Sequence, residues 1–251
     1  MSQYTLQRLR ELKLSGMAHN LEQQLAQPGP YDELTFTDRL TLMLDEEYQS
    51  REQRKQSRLV KQARFKLQAN LQRIDYGGGR GIDKALISKL AKTDWLARGH
   101  NLLITGPCGS GKTYLACALG HQACLNGESV RYFRLSRLFV TLTQAKADGS
   151  YTRLLAVLAK IKLLILDDWG LEVLSDAQRH DLMEIMDDRY NQASTLMISQ
   201  LPTGEWYNSI GENTLADAIL DRLMHNAYRI SLQGESMRKR EANLTEDEHS
   251  L

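Results

Sequence analysis

The sequence predicts an α/β fold built on a five-stranded parallel sheet, and three observations lead there. Five short β-rich runs, "NLLIT" (101–105), "SVRYF" (129–133), "KLLIL" (162–166), "STLMIS" (194–199) and "YRISL" (228–232), alternate with helical patterns. The stretch "GPCGSGKT", Gly106 to Thr113, fits G-x-x-x-x-G-K-[ST] and stands between the first run and a helical pattern. The apolar run "LLIL" ends in a pair of acids, Asp167 and Asp168. Right-handed crossovers in such a sheet place ligands beyond the carboxyl ends of the strands, where both motifs fall.

The 251 residues suffice for one α/β core and a smaller appendage. No apolar run approaches the ~20 residues needed to cross a bilayer, and the amphipathic start "MSQYTLQRLRELKL" has no signal-peptide core. Cys108, Cys117 and Cys124 lack metal-ligand spacing and read as reduced thiols of a cytoplasmic protein. A net charge of +1 conceals opposed patches. From Arg51 to Arg73 eight residues are basic and only Glu52 is acidic, whereas the end "EANLTEDEHSL" is acidic.

Residues 1–76 carry helical spacing and read as an all-helical N-terminal domain for oligomerisation and for DNA or partner binding. "QPGP" interrupts the first helices, and Thr35 is the expected N-cap of a long helix from Phe36 to Ile74. At ~100° per residue, Arg51, Arg54, Lys55, Arg58, Lys61, Lys66 and Arg73 gather on one side of that helix. Glycines in "YGGGRGID" mark residues 77–82 as a linker. Residues 83–240 then form the nucleotide-binding domain, and 241–251 an acidic tail that reads as disordered.

The phosphate-binding loop, Gly106, Pro107, Cys108, Gly109, Ser110 and Gly111, is expected to wrap the phosphates, its glycines letting the backbone N–H groups other than that of Pro107, which has none, turn towards phosphate oxygens. A helix beginning near Lys112 adds its positive end. Lys112 is expected on the β- and γ-phosphates, Thr113 and Asp167 on Mg²⁺, Asp168 as the general base and Tyr114 beside the nucleotide. Room between the motifs for the strand "SVRYF" is the arrangement of additional-strand ATPases. The fourth strand should lie between the two motifs, bringing its polar tip, Ser199 and Gln200, towards the γ-phosphate. "AKTD" at 91–94 is a poor match to a guanine-reading motif and precedes the loop, so ATP is the expected nucleotide.

Together "LLITGPCGSGKTYLACALG", "LLILDDWGL", "MISQLPTGEWY", "LADAILDRLMHNAYRI" and "GESMRK" resemble the IstB helper ATPases of bacterial insertion sequences, relatives of the DnaC helicase loaders within the AAA+ class. "LKLSGMAHNLEQQL" and "FTDRLTLMLDEEYQSREQRK" extend the resemblance over nearly the whole chain. It implies an AAA+ core in which each subunit's site is completed by a neighbour. Arg222 matches the arginine finger and Arg238 the second, nucleotide-sensing arginine, with Gln200 at the sensor position. Asp168 replaces the glutamate of many AAA+ members, and with only 29 residues after Arg222 a full helical lid is not expected; both departures suit a slow switch.

The stretch "RLSRLFVTLTQAKADGSYTRLL" is similar to the helical insertion with which DnaC-like ATPases line DNA. It and the strand before it contribute Arg131, Arg134, Arg137, Lys146 and Arg153 as DNA-binding candidates, beside Arg51, Arg54, Lys55 and Arg58. Without a zinc-finger or helix-turn-helix signature, phosphate contacts should make duplex binding largely sequence-independent. The resemblance thus implies an ATP- and Mg²⁺-dependent, oligomerising transposition helper in the bacterial cytoplasm, nucleoid-associated when on DNA. It would bend target DNA and recruit a transposase, with no membrane partner. A replicative helicase loader is the alternative.

Overall fold

Side chains alternate along the strands between two buried faces, and this alternation sets the architecture. The computed structural model of the chain describes residues 2–77, 79–234 and 236–237. Helices α1 (Ser2–Glu11), α2 (Ser15–Ala26) and α3 (Phe36–Ala63) come first, then α4 (Lys84–Ala91) and α5 (Asp94–Ala97). The alternating part follows as β1 (Asn101–Thr105), α6 (Lys112–Leu125), β2 (Val130–Arg134), α7 (Leu135–Ala147), α8 (Tyr151–Lys160), β3 (Leu163–Trp169), α9 (Asp176–Arg189), β4 (Ser194–Ser199), α10 (Trp206–Ile210), α11 (Asn213–Met224) and β5 (Ala227–Ser231). The five strands pair in the order β2-β3-β4-β1-β5, every pair parallel. As the sequence predicts, β4 lies between the strands that carry the two motifs.

Leu102, Ile104, Leu163, Ile165, Leu196 and Ile198 face one cluster of helices, while Leu103, Leu164, Leu166 and Met197 face another. A parallel sheet covered on both sides needs such near-continuous apolar strands. Gly120 on α6 lets helix and sheet approach, because a Cβ there would lie 2.7 Å from the Phe65 ring and 2.8 Å from Ile165 Cδ1. Arg189 is buried where α8, α9 and β4 meet. Its guanidinium donates to the carbonyls of Leu158 (2.5 Å), Ile161 (2.8 Å) and Ser194, and its Nε to Thr195 Oγ1 (3.1 Å).

The chain divides into two units, Met1–Arg58 and Leu59–Leu251. The division falls within α3, so residues 59–76 belong to the unit that holds the sheet. Polar contacts order the first unit. Glu47, buried on α3, accepts from the Gly16 (2.7 Å) and Met17 (3.3 Å) amides at the start of α2. It thereby satisfies helix-end donors from another helix. Gly16 permits this approach, since a Cβ would lie 2.6 Å from Glu46 O and Glu47 Cα. Gln24 donates to Asn20 Oδ1 (2.8 Å) and accepts from Arg39 Nε (2.8 Å). Thr35 Oγ1 accepts from Asp38 N at 3.2 Å, in keeping with its expected capping role.

The helix that begins there is shorter than its sequence suggests. It stops at Ala63, Arg64 takes a left-handed φ of 55°, and residues 71–73 form a separate 3-10 turn. No glycine or proline marks this end. Packing of Phe65 on Gly120 redirects the chain, so Lys66 and Arg73 leave the helical face on which periodicity places them. Among the described residues no helix is long and apolar enough to cross a membrane. Arg238 and residues 241–251 lie outside the described residues.

Candidate active site

The loop from Gly106 to Gly111 joins the end of β1 to the start of α6. Gly106 (φ 146°) passes so close to the Leu232 carbonyl that a Cβ would collide with it, and Gly111 (φ 91°) is the left-handed N-cap of α6. Lys112 Nζ donates to the carbonyls of Gly106 and Pro107, each at 2.7 Å. Burial lowers the pKa of this amine, opposed by the charges of Cys108, Asp167 and Asp168. Ser110 Oγ is buried without a partner inside the loop. A glycine turn, a helix N-terminus, an orphaned hydroxyl and a lysine fit a polyphosphate.

Asp167, at the end of β3, is 1% exposed and densely contacted. Its Oδ2 accepts from Thr113 Oγ1 (2.9 Å) and Tyr132 Oη (2.6 Å), and its Oδ1 from the Asp168 amide (2.8 Å). Lys66 Nζ stands 3.8 Å from the same Oδ2. The paired hard oxygens of Thr113 and Asp167 have the chemistry of a Mg²⁺ position, which uses one or two protein oxygens and leaves the rest to water and phosphate. Burial and the bond to Asp167 push the Tyr132 phenol well above its ordinary range, so it remains a donor.

Asp168 has a left-handed φ of 65° and faces Arg134, whose Nε is 3.6 Å from its Oδ2. Ser199 is committed to structure, donating to Trp169 O (2.9 Å) and accepting from Leu201 N (3.0 Å). Gln200 is exposed and shares a pocket with Lys66, Cys108, Gly109, Lys112, Thr113, Asp167 and Asp168. Next to it is a cavity of about 490 Å³ bounded by Leu67, Ile74, Ile82, Tyr114 and the loop, sized for a base and ribose. Arg80 lies at its edge, donating to Ser110 O (3.0 Å) and Asp75 O (2.9 Å). Tyr114 contacts Asn70 through its hydroxyl (3.3 Å).

The structure therefore gathers Lys112, Thr113, Asp167, Asp168 and Gln200 as the motifs suggest. It adds Lys66, Tyr132 and Arg80, which motif spacing does not reveal. Tyr132 had one signal: it is the inward member of a strand beside the Asp167 strand. Cys117 and Cys124 are buried, with thiols pushed up to about 11 and about 12 by burial, while Cys108 is exposed in the loop.

Arg222 lies at the opposite end of the sheet from Lys112. Asn101, the first residue of β1, donates to the carbonyls of Arg222 (2.9 Å) and Leu223 (3.1 Å), whereas the phosphate loop follows the last residue, Thr105. Four strand steps of ~3.3 Å separate these ends, about 13 Å. Arg222 Nε donates to Asp187 Oδ1 (2.5 Å), and the guanidinium lies 6.0 Å from the Tyr190 ring centre. Its partner comes from α9, not from the neighbouring Asp217 or Asp221.

The basic candidates differ in availability. In the first unit Arg51 (2.6 Å) and Arg54 (3.5 Å) contact Glu47, and Lys55 and Arg58 are exposed. In the second, α7 and α8 occupy the expected insertion between β2 and β3. Arg137 and Arg153 are exposed there. Lys146 pairs with buried Asp181 (2.5 Å), which also accepts from Tyr151 Oη (2.7 Å). Arg131 donates to Gln62 O (2.7 Å), and Arg134 faces Asp168.

Residues 7–245 match the family model of the IstB-like ATP binding protein. The chain is 47% identical over 235 residues to y4pL of Sinorhizobium fredii, described as an insertion sequence ATP-binding protein, covering 94% of this chain and 96% of that one. It is 33% identical to the ATP-binding protein of insertion sequence IS21 from Pseudomonas aeruginosa, covering 93% and 88%. By structure it is similar to the DnaC helicase loader (TM-score 0.52, 23% identity, 59% of this chain and 87% of that one). It is likewise similar to AMPPCP-bound DnaA from Aquifex aeolicus (TM-score 0.59, 15% identity, 75% and 57%). These likenesses in the sheet agree with the AAA+ core that the sequence predicts. With the phosphate loop, the Asp167–Thr113 pair and a family match over nearly its whole length, the chain belongs to the IstB-like ATP-binding proteins and is an AAA+ ATPase of the insertion-sequence type.

Proposed function

We propose that this ATPase is a transposition helper that assembles on duplex DNA when it holds Mg²⁺-ATP. The observation that carries this reading is Arg222, displaced along the sheet from the chain's own phosphate loop and thus suited to a neighbour's site. Insertion-sequence relatives at up to 49% identity favour transposition over helicase loading.

The loop amides and Lys112 hold the β- and γ-phosphates, and Thr113 and Asp167 hold Mg²⁺, which offsets phosphate charge. Asp168 accepts a proton from the attacking water, and Gln200 orients that water or senses the γ-phosphate. Tyr132 holds the Asp167 carboxylate in place. Arg222 from the adjacent subunit stabilises the charge of the transition state, which ties hydrolysis to assembly. Arg238 would sense the nucleotide beside the site.

Phosphate contacts from Lys55, Arg58, Arg137 and Arg153 give DNA binding that is largely independent of sequence, with target preference arising from DNA deformability. The oligomer bends the duplex and presents it to a cognate transposase, on the cytoplasmic nucleoid. Exposed Tyr4, Phe36, Leu44 and Tyr48 offer the first unit apolar surface for self-association or for that partner. Hydrolysis opens the interface and releases DNA.

The test is oligomer size with ATP and duplex, beside ATPase rate. Lys112→Ala should lose ATP-dependent assembly, and Arg222→Ala should keep ATP binding but lose hydrolysis. Mixing the two variants should restore part of the rate. Unchanged assembly in Lys112→Ala, or capture of a replicative helicase with no effect on a transposase, refutes the reading.

A further inference from the structure

Lys66 is the basic group of the phosphate pocket that no motif accounts for. Its side chain is 29% exposed, and Nζ is 3.8 Å from Asp167 Oδ2. That distance is an ion pair too long for a hydrogen bond, so the ammonium retains donors for another acceptor. The pocket it lines also contains Lys112, Thr113, Asp168 and Gln200.

The backbone around Lys66 is pinned to α6, the helix that begins with Lys112. Phe65 packs in the notch left by Gly120, and Asn70 meets Tyr114. Lys66 is therefore mounted on the phosphate-binding helix, while only two residues, Arg64 and Phe65, separate it from the end of α3. By contrast Lys112 is buried and already donates to two loop carbonyls.

A cation held by Thr113 and Asp167 would face the Lys66 ammonium across one carboxylate oxygen. Two positive charges at such a distance repel strongly in a partly buried site. Lys66 then needs another anionic partner, and the pocket's open side, between Lys112 and Gln200, is where a terminal phosphate belongs.

We propose that Lys66 is a terminal-phosphate contact that distinguishes ATP from ADP. Without a divalent cation it pairs with Asp167; with the cation in place it donates to a γ-phosphate oxygen. ADP lacks that oxygen and leaves Lys66 unsatisfied. This inference rests on the Mg²⁺-ATP reading of the site.

Equilibrium binding of a fluorescent non-hydrolysable ATP analogue and of fluorescent ADP, both with Mg²⁺, tests it on the full chain. Lys66→Ala should weaken the ATP analogue about tenfold, or about 1.4 kcal/mol, and change ADP by less than about twofold. Lys66→Gln, which keeps most of the side chain's length, should do the same and guards against a folding defect in the alanine variant. Equal weakening of both nucleotides, or no change in either, overturns the proposal and leaves Lys66 as a simple partner of Asp167. Wild-type protein that binds neither nucleotide would instead overturn the Mg²⁺-ATP reading itself.

Discussion

Replacing Asp187 with alanine should make this ATPase assemble more readily. Arg222 is held within its own subunit by Asp187, at 2.5 Å, with the arginine side chain 26% and the aspartate 54% exposed. An ion pair this open to water contributes about 0.3–1 kcal/mol. If Arg222 must leave Asp187 to reach a neighbouring γ-phosphate, that amount opposes every interface formed. At 1.4 kcal/mol per factor of ten, Asp187→Ala should favour each interface by about 2- to 5-fold. The bonds from Asn101 to the Arg222 and Leu223 carbonyls keep the end of α11 in place in the variant. The assay is ATPase rate against protein concentration. The half-maximal concentration should fall, nucleotide affinity of dilute subunits should not change, and added salt should shrink the difference. A loss of hydrolysis as deep as that of Arg222→Ala would refute the reasoning, because it would mean that Asp187 holds Arg222 in its working position.

Glu47 should govern the first unit. Burial raises its pKa, but the Arg51 hydrogen bond, the Gly16 and Met17 amides and the Arg51 charge outweigh burial, and the net pKa is lowered from 4.5. Its contribution to stability is therefore complete above that value and is lost as pH falls through the lower folded pKa. Glu47→Ala should destabilise the unit by about 2–3 kcal/mol, the scale of leaving buried amides unpaired; denaturant melts between pH 3 and 7, on the order of the carboxylate range, should show the loss and its flattened pH dependence. On DNA, Arg137→Ala should weaken duplex binding and reduce the salt slope by about one. Lys146→Ala should lower the melting temperature through Asp181 and leave duplex affinity nearly unchanged. Salt-dependent fluorescence anisotropy separates the two, and a larger binding loss for Lys146→Ala would count against the assignment.

Both nucleotide motifs were readable from the chain because their chemistry is local. A glycine turn must directly precede a helix, and a buried strand must end in its acids. Alternation of strands with helical segments likewise determined the parallel sheet, in which β4, buried along its whole length, lies between the two motif strands. Helix-end polar pairs were partly legible, as at Thr35, because capping acts over three residues. What spans the chain was not. The end of α3 at Ala63 depends on Phe65 finding Gly120, and no breaker announces it. The same turn delivers Lys66 to Asp167, although its spacing assigns it to the basic face of a continuous helix. Glu47 absorbs Arg51 and Arg54, and Asp181 absorbs Lys146, so a run of positive charge is less available than its composition implies. Local spacing could specify the phosphate loop because its bonds close within eight residues. Only tertiary packing could decide which distant carboxylate each cation meets, and so which charges remain for ATP, for DNA and for a neighbouring subunit.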